Sequence, residues 1–165
     1  MTPASRHADG PTRDEPRGQV RSSSLRAPRR RPLVLIADDT TDVRDLYSMY
    51  LTSRGFTVVT AEDGAAVIQS ALDHHPDVIV MDLAMPQFDG ITATERIKAN
   101  AATRQTRVIL LTGYPHHAIE WQALERGVDR FLMKPCLPEE LERHVNELRQ
   151  PAPSDHRGHR QGARG

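Results

Sequence analysis

The chain has a single cysteine, Cys136, in 165 residues. That excludes an intramolecular disulfide framework and fits a reducing cytoplasm. Alone, Cys136 reads as a small buried hydrophobe rather than a redox switch. No apolar run approaches the ~18 residues that a membrane-spanning helix needs. The first residues lack the apolar stretch of a signal peptide. Net charge is missing too, since 22 Lys and Arg balance 22 Asp and Glu. That zero hides a division. Residues 1–32 carry eight Arg against Asp9, Asp14 and Glu15, residues 150–165 carry three Arg against Asp155, and the body between holds a surplus of seven negative charges.

Both ends are also poor in large apolar side chains, so they bury too little surface to offset the entropy of ordering. The composition predicts disordered tails at 1–31 and 150–165 around one domain at 32–149. The N-terminal tail has no Lys and no aromatics to stack on bases, which weighs against specific RNA recognition. Its bland reading is solvated disorder. Its sharper reading is electrostatic contact with nucleic acid, a membrane or the acidic body.

Inside the body, short apolar runs alternate with helical spacings. LVLIA (33–37) has the length and content of a strand buried on both faces, DVIVM (77–81) reads as the most central strand, and TVVTA (57–61), RVILL (107–111) and residues 129–133 read as the other three. Helical stripes cover 42–54, 64–75, a segment after Gly90, 116–126 and 138–149. Gly55 and Gly127 follow helix ends, Pro76 stops the second helix, and Pro138 opens the last. Five such units predict an α/β fold: a doubly wound, five-stranded parallel sheet in the order 2-1-3-4-5, flavodoxin-like, with right-handed crossovers.

The strand ends carry the chemistry. The first ends in Asp38-Asp39, the third in Asp82, the fourth in Thr112 and the fifth in Lys134-Pro135. Parallel strands bring these residues to one edge, where open α/β sheets place their sites. Three crowded carboxylates repel one another and call for a cation, so the group reads as a divalent-metal site with a Lys aimed at an anion.

Taken in order, LIADDTTDVR, DVIVMDLAMPQFDG, VILLTGYP and RFLMKPC resemble the receiver domain of two-component response regulators, over about residues 32–149. The resemblance implies that Asp82 is the phosphoacceptor. It implies that Asp39, Asp82 and the backbone carbonyl of Ala84 ligate Mg²⁺, with Asp38 holding the ion through water. Thr112 and Lys134 would contact the phosphoryl group, Pro135 would follow a cis peptide bond, and Phe131 would be the rotating aromatic of the switch. The implied donor is a sensor histidine kinase or a histidine phosphotransfer protein. The implied output is a changed protein-binding face formed by the fourth helix, fifth strand and fifth helix.

Elementary chemistry agrees. A carboxylate and a phosphoryl group repel each other until cations screen them, and phosphoryl transfer is mostly positioning plus charge stabilisation. Few residues follow the last helix, so the expectation is a single-domain regulator with no DNA-binding domain, and no enzyme beyond assisting its own phosphorylation and dephosphorylation. A relay intermediate or phosphate sink is the alternative. A small Asp-dependent phosphohydrolase of the haloacid dehalogenase type is disfavoured, because that class resembles D-x-D after its first strand. Four departures matter, one of them Cys136 in place of an aromatic common after the K-P pair. Ala84 cannot orient a hydrolytic water and Tyr114 would shield the phosphoryl group, which together predict slow self-dephosphorylation. Gly113 leaves the pocket open to small donors. His74-His75 and His116-His117 are adjacent and do not share a helix face, so no metal site is expected there. His144 and Trp121 read as helix-surface residues.

Overall fold

The computed structural model describes residues 30–114 and 116–150; the expected tails at 1–31 and 150–165 lie almost wholly outside them. Strands and helices alternate along the described chain: β1 (Leu33–Ala37), α1 (Thr41–Ser53), β2 (Thr57–Ala61), α2 (Gly64–His74), β3 (Val78–Asp82), α3 (Gly90–Ala99), β4 (Arg107–Thr112), α4 (His117–Glu125), β5 (Arg130–Met133) and α5 (Pro138–Arg149). Every strand pairing is parallel, and the order is 2-1-3-4-5, as the pattern predicts.

β3 lies at the centre, and all five of its residues are buried. Alternation along the strands divides the core in two. Leu35, Ile79, Met81, Val108 and Leu110 pack on the side of α2, α3 and α4. Val34, Ile36, Val80, Ile109 and Leu111 pack with Leu51 of α1 and with Leu141 and Val145 of α5. A strand covered on both faces must be apolar at consecutive positions, which is why these runs do not alternate. Each such side chain contributes about 1.5–3 kcal/mol by leaving water.

Local signals set the ends. Gly55 (φ +91°) and Gly127 (φ +95°) take the left-handed conformation just after α1 and α4. Asp63 and Asp89 cap α2 and α3, each accepting from a backbone N–H three residues on at 2.8 Å. α2 ends one residue before its predicted limit. His75 turns left-handed (φ 49°), because Pro76 disfavours a helical residue before it. β3 and β5 each begin one residue later than predicted. The carboxylate of Asp77 accepts from the N–H of Leu33 at 2.7 Å and that of Asp129 from the N–H of Val108 at 2.9 Å, while the backbone N–H of each acid donates to the carbonyl of the same neighbour. These acids tie neighbouring strands together at the lower edge of the sheet.

His144 is not the surface residue that the pattern suggests. Its side chain is 12% exposed and lies against Arg130 of β5, whose Nη1 is 2.6 Å from His144 Nδ1 and also donates to Glu147 at 2.8 Å. The cause is its place three residues after the buried Leu141, on the flank of α5 that meets the sheet. Trp121 is exposed on α4, as expected. Among the described residues no helix is long and apolar enough to cross a membrane.

Candidate functional site

The register brings the C-terminal ends of β1, β3, β4 and β5 level, with Ala37 beside Met81, Asp82 beside Leu111 and Thr112 beside Met133. The residues at or just beyond those ends therefore converge. Asp38 is 2% exposed and Asp82 is 7% exposed. The Nζ of Lys134 donates to Asp38 Oδ2 at 2.6 Å and lies 3.0 Å from Asp82 Oδ1. The other oxygen of each carboxylate accepts a backbone N–H, Thr40 to Asp38 at 2.9 Å and Ala84 to Asp82 at 3.1 Å. The backbone N–H of Lys134 donates to the carbonyl of Thr112 at 2.7 Å, which binds the fourth and fifth strand ends together. The Lys134–Pro135 peptide is cis, as the resemblance implies. The hydroxyl of Tyr47 donates to the carbonyl of Cys136 at 2.8 Å and holds the segment after that bond. Cys136 itself is buried in the core on the α1–α5 side.

One ammonium serves two buried carboxylates. Burial pushes the Asp82 carboxyl above the usual range, and the contact with Lys134 only partly counters it. Burial also works against the charge on Lys134, but its bonds to Asp38 and Asp82 outweigh that and hold its pKa above the ordinary value. The group thus keeps a negative excess, increased by Asp39 at the exposed rim.

The predicted crowding of three carboxylates is corrected in detail. Only Asp38 and Asp82 share Lys134, while Asp39 follows the turn outward, and among the described residues no three acidic, imidazole or thiol groups converge into a closed cage. The reason is the adjacency of Asp38 and Asp39, which sends their side chains to opposite sides of an extended backbone. The donor set still fits Mg²⁺, a hard cation that takes oxygen ligands, binds through one or two carboxylates and keeps several waters. Asp39, Asp82 and the carbonyl of the exposed Ala84 offer that set.

Thr112 is buried, and its Oγ1 accepts from the N–H of Tyr114 at 3.2 Å. Phe131 is partly buried against the α4-side core and lines a cavity of about 330 Å³ with His116, His117, Glu120 and Met133. The expected shielding by Tyr114 is not seen: its side chain is 86% exposed, directed to solvent from the loop after β4. At Gly113 an added Cβ would meet nothing within 4 Å, so that side is open. His116 caps α4, its Nδ1 accepting from the N–H of Ala118 at 3.3 Å.

Two residues near the site were not visible in the sequence. Arg44 donates from Nη1 to the carbonyl of Asp38 at 2.6 Å and from Nη2 to Thr41 Oγ1 at 3.1 Å, which pins the loop carrying the acid pair. Its only sequence signal is a charged position on a half-buried helix. Gly90, read as a turn residue, has its missing Cβ position 2.7 Å from the carbonyl of Asp82 and from Leu110 Cδ2. Nothing larger fits beneath the β3 end.

The model of the response regulator receiver domain matches residues 34–146. The chemotaxis protein CheY of Bacillus subtilis is 33% identical over 115 residues, covering 69% of this chain and 94% of that protein. The transcriptional regulatory protein ResD of the same organism is 34% identical, but the match covers only 47% of its length. The chain thus spans nearly all of CheY and about half of such transcriptional regulators. Among solved structures, the chemotaxis response regulator CheY4 of Vibrio cholerae superposes with a TM-score of 0.68 at 26% identity, covering 72% of this chain and 98% of that one. The receiver domain of the sensor histidine kinase PA1611 of Pseudomonas aeruginosa superposes with a TM-score of 0.66 at 28% identity, covering 72% and 98%, and holds a magnesium ion in its active-site cleft. With this fold, this strand order and a match across most of its length, the chain belongs to the receiver domain family of two-component response regulators.

Proposed function

We propose that Asp82 accepts a phosphoryl group from a phosphohistidine on a sensor histidine kinase or histidine phosphotransfer protein, in the cytoplasm. The observation that carries this reading is the Lys134 ammonium set between two buried strand-end carboxylates, 3.0 Å from Asp82. One Asp82 oxygen attacks phosphorus as the P–N bond to the donor histidine breaks, and the product is an acyl phosphate. Asp39, Asp82 and the Ala84 carbonyl would hold Mg²⁺, with Asp38 acting through water. When bound, Mg²⁺ neutralises the charge that otherwise keeps the carboxylate and phosphoryl group apart. Lys134 screens a phosphoryl oxygen as a compact point charge. The N–H of Ala84, which already meets Asp82, donates to the developing anion.

The signal leaves through Thr112 and Phe131. The Thr112 hydroxyl shifts from Tyr114 toward the phosphoryl oxygens, and Phe131 turns further inward into the space it leaves. The face formed by α4, β5 and α5 is thereby reshaped for a protein partner. This is a local electrostatic event biasing a two-state element. Incubation with a small phosphodonor and Mg²⁺, read by intact mass, tests the reading. The wild type gains one phosphoryl group and Asp82→Asn gains none. An unmodified wild type, or an equally modified variant, overturns it.

A further inference from the structure

The start of α1 departs from helix-stabilising practice twice, and both departures point at the acid pair. Thr40 stands at the N-cap, yet its side chain makes no capping hydrogen bond. The fold does use such caps, since Asp63 and Asp89 cap α2 and α3 at 2.8 Å. The Thr40 hydroxyl instead donates to Asp39 Oδ1 at 3.4 Å. A capping bond stabilises a helix more than a long bond to an exposed carboxylate does. Arg44 then puts a cation near the positive end of the helix dipole, where cations are disfavoured. Its guanidinium turns back along α1, with Nη1 donating to the Asp38 carbonyl at 2.6 Å and Nη2 to Thr41 Oγ1 at 3.1 Å.

With Arg44 in place, every polar group of Asp38 has a partner. Its N–H donates to the carbonyl of Ala61 at 3.3 Å, its carbonyl accepts from Arg44, Oδ1 accepts from the N–H of Thr40, and Oδ2 accepts from Lys134. Asp39 is the opposite case. It is exposed, and among the described residues its carboxylate meets only the Thr40 hydroxyl. One planar peptide joins the two acids, so holding the Asp38 carbonyl also fixes the plane from which Asp39 departs.

We propose that Arg44, assisted by Thr40, is the positioning residue of the Mg²⁺ site and sets its affinity by holding the Asp38–Asp39 peptide plane. The proposal rests on the reading of Asp39 and Asp82 as ligands. A guanidinium has donors only, so Arg44 cannot ligate the ion itself. Its charge works in the other direction, which makes the claim decidable. A cation beside a cation site repels the incoming ion. A role limited to charge or to helix packing therefore predicts that loss of Arg44 tightens Mg²⁺ binding or leaves it alone. Positioning predicts weaker binding, because groups that orient metal ligands from outside typically govern affinity by about 10–100-fold.

The test is titration of the full chain with magnesium chloride, read by NMR at the amides of Asp82 and Ala84, with urea unfolding in chelator as the check on folding. Arg44→Met weakens Mg²⁺ binding about tenfold. Arg44→Lys keeps the charge and one donor, and its affinity returns to within about threefold of the wild type. Thr40→Val removes only the hydroxyl and weakens binding about threefold with no loss of stability. Arg54→Met is the charge-matched control; Arg54 follows the far end of α1 and pairs with Glu142, and its loss leaves the affinity unchanged. An Arg44→Met variant that binds Mg²⁺ as tightly as the wild type, or more tightly, would overturn the proposal. So would an Arg44→Lys variant no better than Arg44→Met. If Arg44→Met does not fold, Arg44→Lys and Thr40→Val decide, and wild-type affinity in both overturns it. A wild type whose Asp82 and Ala84 amides ignore Mg²⁺, or an Asp39→Asn variant that binds as the wild type does, overturns the ligand reading and the proposal with it.

Discussion

Replacing Lys134 with Ala removes the cation that touches both Asp38 and Asp82 and leaves two buried carboxylates facing each other. Removing one partner of a buried ion pair typically costs about 3–5 kcal/mol, because the remaining charge is uncompensated. Two features reduce that here. The Lys134 side chain is 28% exposed, so water reaches the vacated position. The N–H groups of Thr40 and Ala84 also continue to serve the carboxylates. The expected loss is about 2–3 kcal/mol. Urea unfolding at neutral pH with a chelator present measures it as a shift in midpoint at unchanged slope. Adding Asp82→Asn to Lys134→Ala removes one stranded charge and returns at least about 1 kcal/mol, so the two changes are not additive. The reasoning fails if Lys134→Ala lies within about 0.5 kcal/mol of wild type, or if the double variant is no more stable than the single one.

Three further outcomes are expected. Burial works to raise the Asp129 carboxyl, but bonds from Lys98, the Val108 N–H and Arg107 outweigh it and hold its pKa below the ordinary value. A depressed folded-state pKa contributes stability above the unfolded value and loses it as pH falls through the folded one, so Asp129→Asn costs about 1–2 kcal/mol at pH 7 and the gap closes as pH falls below the ordinary carboxylate range in a urea–pH series. Burial pushes the Cys136 thiol up to about 11, so a thiol reagent labels it slowly at neutral pH and quickly in denaturant; equal rates would contradict its burial. Gly90→Ala forces a Cβ to 2.7 Å from the Asp82 carbonyl, costing about 1–3 kcal/mol by thermal unfolding and slowing phosphorylation of Asp82.

Most of the fold was legible because its strands are buried on both faces, which turns topology into continuous apolar runs. β1 falls on the predicted residues for that reason, while β2, a half-exposed edge strand, does so through its β-branched run from Thr57 to Thr60. β3 and β5 begin one residue later than predicted, just past Asp77 and Asp129, whose carboxylates add side-chain ties to the neighbouring strand beside their backbone bonds, and no periodicity encodes such ties. At the site, the meeting of Asp38, Asp82 and Lys134 followed from strand ends alone, since a parallel sheet leaves them nowhere else to go. The grip of Arg44 on the Asp38 carbonyl and the tight space at Gly90 depend on how a loop and a helix approach the sheet. Those distances are set by tertiary packing. The exposure of Tyr114 was missed likewise, because sequence position after Thr112 says nothing about the direction of a side chain in a loop.

The central claim is that the β3 carboxylate is the atom group that receives phosphate. Phosphorylation with a small donor and Mg²⁺, followed by borohydride trapping of the acyl phosphate and peptide mapping, tests it most directly. Reduction converts the phosphorylated aspartate to homoserine, and the account predicts that product at Asp82 and at no other acid. Homoserine at Asp38 or Asp39, or phosphate found on a histidine, would contradict it.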